Sequence, residues 1–365
     1  MEADIILKTV DNRARFIAVL TVYPHLRSDL GARSVWCLAD RPDGVARCAR
    51  LPRHPHARPV MTMTKAGTLR AYWELGKPRL SMMAVFAVVA GAYMGWPSHT
   101  SHPPMDLVVM TTIGTFLAAI GAAALNMYRE RDLDPLMVRT QGRPLPTGRL
   151  SPRNVVVFGA VMSVAGVLLV LLSSPLAADG SRAIGEWNWA AAGLCALIVV
   201  SYVLVYTPMK TRTPLNTLVG AIPGALPPVV GHAAAVGYLA KPQLVLFAIL
   251  FCWQIPHFLA IAWRYREDYA RAGMQMLPVV DPTGHRTGIA MLLYVGGLGI
   301  ASLVPYVTQM VDDRYLVIAV LLDVLFIVPV LFAALTRRDV AMRMTFIVSI
   351  IYLPLLLIAM VWTRL

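Results

Sequence analysis

Nine times between residues 80 and 362 the chain runs apolar for about 17–25 residues, the length a helix needs to cross the hydrocarbon core of a bilayer. The runs fall near 80–96, 106–128, 153–173, 188–207, 215–238, 243–263, 287–307, 315–335 and 343–362. In lipid every backbone N–H and C=O must be satisfied within the protein, so runs of this kind have to become helices. The predicted fold is therefore an all-α polytopic membrane protein, with about nine transmembrane helices. Composition agrees: 57% of the 365 residues are hydrophobic and 15% are charged, with a mean hydropathy of +0.61.

A net charge of +13 on a soluble chain would suggest nucleic acid. Here the basic residues sit mostly between apolar runs, where the positive-inside rule accounts for them. Arg and Lys concentrate in the connections after the second, fourth, sixth and eighth runs: Arg129 to Arg153, Lys210 and Arg212, Arg264 to Arg286, and Arg337 to Arg343. The other connections hold few. The N-terminus is then cytoplasmic and the C-terminus outside. Four scattered cysteines, without CxxC spacing, imply neither a metal site nor a disulfide framework.

Residues 1–62 differ from the rest. The first 60 hold nine arginines, one lysine and six acids, and no run long enough to span. The acids argue against a transit peptide. Two readings remain for this segment: a disordered basic extension, or a start assigned too far upstream, with Met61 or Met63 as the natural one. The membrane domain occupies 63–365. In it, Tyr72 and Trp73 suit the headgroup layer, Lys77 and Arg79 anchor the cytoplasmic side, and Pro78 can start the first span.

Three polar clusters interrupt the apolar pattern. In the first, LNMYRERDLDPLMVRTQGRPLPTGRLSP, the residues Asn126, Glu130 and Asp134 are spaced i, i+4, i+8 and would share one helix face, with Arg139, Arg143 and Arg149 on the turn-rich segment after them. Hard oxygen ligands suit Mg2+, held by one or two carboxylates plus substrate phosphates, and guanidinium groups suit phosphate oxygens. In the second, Tyr206, Lys210 and Arg212 lie on a connection. Asn216 opens the next span, whose regularity is broken by Gly220, Pro223, Gly224, Pro227 and Pro228. Close helix packing would explain the glycines equally well. In the third, Gln254 and His257 lie inside a span, and Glu267 and Asp268 follow at its cytoplasmic end. Ionisable groups inside a bilayer point to function. The eleven residues from His257 to Asp268, about three helical turns, let both face one cavity. All three clusters follow even-numbered runs and should converge at the inner leaflet, where they suit a substrate with an anionic head and a long apolar tail.

These residues resemble the UbiA-type intramembrane prenyltransferases. Asn126-x3-Glu130-x3-Asp134 is similar to the family's NxxxDxxxD, with Glu keeping the carboxylate. YTPMKTRTPLN…GAIPGALPPVVGH resembles its YTxxKRxTxxN…GAxPPxxG segment. WQIPHF and DYARAG resemble the haem branch, the haem O synthases, where other branches carry a second DxxxD. The likeness spans about 70–362; His232 departs from the aromatic residue expected there. It implies nine helices around a central cavity that opens to the cytoplasmic side, and farnesyl transfer from farnesyl diphosphate to a vinyl group of haem B, giving haem O and diphosphate. Asn126, Glu130, Asp134 and Asp268 would hold Mg2+; Arg139, Arg143, Lys210, Arg212 and Tyr206 would bind the diphosphate. His257 would orient the porphyrin, ligate its iron or deliver water. A bacterial cytoplasmic (inner) membrane location and a terminal oxidase or haem A synthase as partner follow from the same likeness. A prenyltransferase of an aromatic quinone precursor shares the diphosphate machinery, and a transporter is the rival from another class.

Overall fold

A computed structural model describes residues 65–96, 104–175, 183 and 185–365, with the backbone of four short strands nearer the N-terminus. Those strands, Ile5–Thr9, Phe16–Leu20, Val35–Leu38 and Arg47–Arg50, pair antiparallel in chain order within a unit spanning Met1–Pro59. Apart from them, the expected disordered extension or displaced start lies outside the described residues.

The unit Val60–Leu365 is helical. A helix α1 (Lys65–Leu75) leads into α2 (Pro78–Gly95), which Pro78 opens as expected. There follow α3 (Met105–Arg129), α4 (Pro152–Leu171), α5 (Trp189–Met209), α6 (Asn216–Val236), α7 (Lys241–Arg264), α8 (His285–Val307), α9 (Asp313–Thr336) and α10 (Asp339–Trp362). Among the described residues, the eight helices α3 to α10 are long and apolar enough to cross a membrane. The first of the nine expected spans is α2, whose apolar part Ser81–Gly95 is shorter. Helix starts follow sequence: Ser151 Oγ accepts from Asn154 N at 3.2 Å before α4, and Asn188 Oδ1 accepts from Ala191 N at 3.3 Å before α5.

Two helices are irregular where the site is built. Ser201–Tyr206 of α5 wind as π-helix, which turns Thr207 inward. The span 215–238 is two helical segments, Asn216–Ala225 and Pro227–Val236, interrupted at Leu226 before two prolines. Gln254 of α7 donates to Ala221 O at 2.8 Å, giving the interrupted helix a polar partner from its neighbour.

Small residues let the walls approach. A Cβ on Gly91 would run into the Pro228 carbonyl, and one on Gly231 into the Val88 carbonyl, so α2 and α6 touch backbone to backbone. Gly220 and Gly224 leave room for the Tyr206 ring and the Gln254 amide, so here the close-packing account of the glycines holds. Gly231→Leu should lower stability by about 1–3 kcal/mol, the range for overpacking. Thermal unfolding of detergent-purified protein would show it as a lower midpoint; an unchanged midpoint would contradict the contact.

Candidate active site

Helix α3 ends at Arg129, earlier than an i, i+4, i+8 face requires. Glu130 caps the helix, and Asp134 opens a 3-10 turn, Asp134–Leu136. Pro135 has no N–H to offer the Arg131 carbonyl, so an α-helical ladder could not run on through this stretch. The chain still folds back on itself, because Asp134 N donates to Glu130 O at 2.8 Å. Asn126, Glu130 and Asp134 therefore come together by a turn rather than along one helix. Their exposures are 0%, 4% and 0%.

Charges this dry need partners. Lys210, just past α5, donates from Nζ to Glu130 Oε1 at 2.5 Å. Arg143 donates to Asp134 Oδ1 at 2.6 Å and stands 3.7 Å from Glu130 Oε2. Asn126 is held from three sides: it donates to Glu130 Oε1 and Thr207 Oγ1, each at 3.0 Å, and accepts from Lys77 Nζ at 3.0 Å. The Tyr206 ring centre lies 4.6 Å from Lys210 Nζ.

Lys77 is a site residue that the sequence reading placed only as an interfacial anchor. It sits between α1 and α2 with φ of 45°, a left-handed conformation that costs a non-glycine residue of order 1–3 kcal/mol. One lysine before a span looks like any anchor, and its fold-back onto Asn126, forty-nine residues on, leaves no local signal. A lysine immediately before Pro78 was the one available hint.

The acid–base balance reflects this crowding. For Glu130, burial pushes the carboxyl up, but Lys210 and Lys77 outweigh it and hold the group at about 2. Burial raises Asp134, and Arg143 offsets that only in part. Burial pulls Lys210 down, but Glu130, with Tyr206 and Tyr202 beside it, outweighs burial and raises the group. Burial, then repulsion from Arg143, bring Lys77 down to about 7, with Glu130 opposing. One oxygen stands apart: Asp134 Oδ2 is buried without any hydrogen-bond partner. An orphaned carboxylate oxygen beside a second carboxylate and an amide oxygen fits a small hard cation that takes further ligands from a substrate.

The three polar clusters do converge. Asn126 and Glu130 reach the second through Thr207 and Lys210. The second reaches the third through Gln275 N, which donates to Lys210 O at 2.6 Å, and through Asn216 Nδ2, which donates to Gln275 O at 2.8 Å. The third reaches the first through Asp268, whose Oδ2 accepts from Arg139 N at 3.3 Å.

Several expected positions differ in detail. Asp268 is engaged by the Arg139 amide and by Arg271, and among the described residues no three His, Cys, Asp or Glu side chains stand together as a metal-holding group. It thus does not complete a three-carboxylate set with Glu130 and Asp134. Arg139 lies over the Tyr265 and Tyr269 rings, at 5.0 and 5.6 Å. Arg149 pairs with Glu74 at 2.6 Å. The exposed Arg212 side chain makes no ion pair among the described residues. His257 and Asp268 do not share a helix, because α7 stops at Arg264 and Asp268 belongs to a separate turn, Arg266–Arg271. His257 Nδ1 is 2.7 Å from Ser349 Oγ of α10, and its ring packs between Trp253 and Phe346.

Residues 84–353 match the model of the UbiA prenyltransferase family. The chain belongs to that family. It is 44% identical over 294 residues to a protoheme IX farnesyltransferase of Solibacter usitatus, covering 79% of this chain and 96% of that one. The protoheme IX farnesyltransferase of Aquifex aeolicus is 36% identical, with coverages of 79% and 93%. Among solved structures, a digeranylgeranylglyceryl phosphate synthase superposes with a TM-score of 0.63 at 16% identity, over 81% of this chain and 98% of that one. A UbiA homologue from Archaeoglobus fulgidus bound to DMAPP and Mg2+ gives 0.53 at 15% identity, over 79% and 98%. At such identities the likeness is one of fold. The chain is thus an integral membrane prenyltransferase with the helical architecture expected of it.

The depressed Lys77 makes stability depend on pH. Its folded value of about 7 lies below the ordinary 10.5, so between those limits the unfolded chain binds more protons and stability rises with pH. Wild-type protein should gain thermal stability from pH 7 towards pH 10 relative to Lys77→Met. Parallel pH profiles for the two would remove the assignment.

Proposed function

We propose that this chain transfers the farnesyl group of farnesyl diphosphate to a vinyl group of haem B, giving haem O and diphosphate. The supporting observation is the meeting of Asn126, Glu130 and Asp134 with Lys77, Arg143 and Lys210 from separate elements, around an Asp134 oxygen left without a partner. The relatives named for this reaction cover most of the chain.

Glu130 and Asp134, with Asn126, would hold Mg2+, which when bound neutralises diphosphate charge as the allylic C–O bond breaks. Arg143, Lys210 and Lys77 meet the same growing charge, and each is already fixed in place, so none has to reorganise during the reaction. The Tyr206 ring holds Lys210 on its other side. Arg139 and Arg212 stand further out and suit the diphosphate on its way in. Asp268 fixes the loop through the Arg139 amide.

The electron pair of the C–O bond leaves with diphosphate. The terminal vinyl carbon of the porphyrin then bonds to farnesyl C1, which leaves a cation on the carbon next to the ring. Water adds there and loses a proton, giving the hydroxyethylfarnesyl group. Apolar walls keep bulk water from the allylic cation until the vinyl group has captured it. His257, oriented by Ser349 through Nδ1, leaves Nε2 free to position the porphyrin.

The inner membrane of a bacterium, with the N-terminus cytoplasmic and the C-terminus outside, fits the loop charges. A haem A synthase or terminal oxidase would then take up the product. Purified protein given haem B, farnesyl diphosphate and Mg2+ should form haem O, measured by mass. Asp134→Asn should cut turnover at least ~100-fold, as expected for loss of a charge that acts on the leaving group, with its elution profile and helicity intact. Full activity in that variant would end the metal assignment.

A further inference from the structure

At the cytoplasmic ends of α7 and α10 lies a cavity of about 190 Å3, apart from the diphosphate cluster. Ala260 and Met342 form its floor, Tyr265 and Phe346 its aromatic walls, and Arg264 and Arg343 its rim. We infer that this cavity binds the two propionate carboxylates of the haem substrate, with Arg264 and Arg343 as their partners. The inference rests on haem being the acceptor.

The charges at the rim are not equivalent. Arg266 is spent on the protein itself: it pairs with Asp339 at 3.3 Å and lies over the Trp263 ring, whose Nε1 also donates to Asp339 at 2.7 Å. Arg264 and Arg343 have no carboxylate partner among the described residues; Arg264 only faces the Tyr265 ring at 5.6 Å. Two guanidinium groups, free and on one rim, suit a ligand edge that carries two carboxylates.

Arginines at the ends of spans are often no more than anchors. An anchor needs no concave aromatic site beneath it. Phe346, which lines the cavity, also lies tilted against His257 at 5.1 Å, and His257 is seven residues from Arg264 on α7, roughly 10 Å at 1.5 Å per residue. Cation pair, aromatic wall and imidazole thus lie in that order along α7 and α10. That sequence matches a planar macrocycle that is acidic at one edge and carries a metal at its centre.

The volume is below the ~300–1,000 Å3 usual for a whole ligand, so the cavity takes the acidic edge and not the whole ring. Propionates and vinyl groups lie on opposite sides of the porphyrin, so an acidic edge held at the rim sends the vinyl edge inward. Tyr265 closes the geometry, since its ring also carries Arg139 of the loop that holds Asp134 and Arg143. The acidic edge and the diphosphate loop therefore share one aromatic wall.

The test is a binding cycle in phosphatidylcholine nanodiscs, read from the haem absorbance. Wild type should bind haem B at least about tenfold more tightly than haem dimethyl ester, whose propionates carry no charge. The double variant Arg264→Gln, Arg343→Gln should lose that preference, bind the ester as wild type does and bind farnesyl diphosphate with wild-type affinity. A double variant that retains the preference overturns the inference. So does one that weakens haem and ester alike, or a wild type that does not distinguish them. If the arginines instead hold a lipid phosphate, the variant loses retention of phosphatidylglycerol while its haem preference stays, which also refutes it. Binding is read without turnover, so a wild type that prefers haem B but makes no haem O would refute the proposed reaction and leave the carboxylate subsite standing.

Discussion

Two carboxylates with almost no access to water cannot stay ionised at the end of a membrane helix unless cations are brought to them, and much of the fold serves that demand. Glu130 and Asp134 sit where α3 stops, and the three cations that answer them come from three places. Lys77 comes from the joint between α1 and α2, Arg143 from the loop after the 3-10 turn, and Lys210 from the end of α5. Removing one partner from such a group leaves an uncompensated charge, which costs more than the pair contributes. The loops and the helix ends are thereby made to depend on one another.

The same electrostatics suit a change of partner. Without substrate, the acids neutralise the cations directly. In the proposed reaction the acids would hold the metal of a metal-bound diphosphate and the cations would meet its phosphate oxygens, so each charge would exchange one opposite charge for another. Little net desolvation is then needed at binding, because the groups are already dry. Asp134 shows the exchange half prepared: one oxygen is bonded to Arg143, and the other is buried with no partner at all. The strained backbone of Lys77 and the π-helical turn before Thr207 are local costs borne at the same place, where both residues hold the Asn126 amide.

Much of this was legible in the sequence, and the limits have physical causes. Span positions could be read because a bilayer imposes length and hydropathy on each segment separately. The break in the span 215–238 could be read because proline acts on its own helix. Convergence of the three clusters followed from loop charge, since residues on one side of a membrane have only an area to search. The geometry of Asn126, Glu130 and Asp134 was right in outcome and wrong in means: helical spacing predicted a shared face, and a turn after Arg129 brings them together instead. Asp268 was misjudged in a similar way, because a helical count from His257 assumes a helix that ends at Arg264. Lys77 and the rim of Arg264 and Arg343 escaped because near a membrane surface every lysine and arginine has a ready explanation as an anchor. Only the partners of each cation, or their absence among the described residues, separate the roles.

That separation bears on how the two substrates would be kept in register. At the α3 end Arg143 and Lys210 are engaged with acids and Lys77 with the Asn126 amide, whereas Arg264 and Arg343 have no carboxylate partner among the described residues. A diphosphate arrives with its own divalent cation and can enter a balanced cluster by exchange. Two haem propionates bring negative charge without a counterion, and a balanced cluster would repel them less than it would ignore them. Bare guanidinium groups attract them without exchange. Tyr265, between Arg139 on one side and Arg264 on the other, is the boundary between the two regimes. Each acidic group is thus directed by the charge balance of its own site, and the reactive carbons are left to meet in the apolar space between.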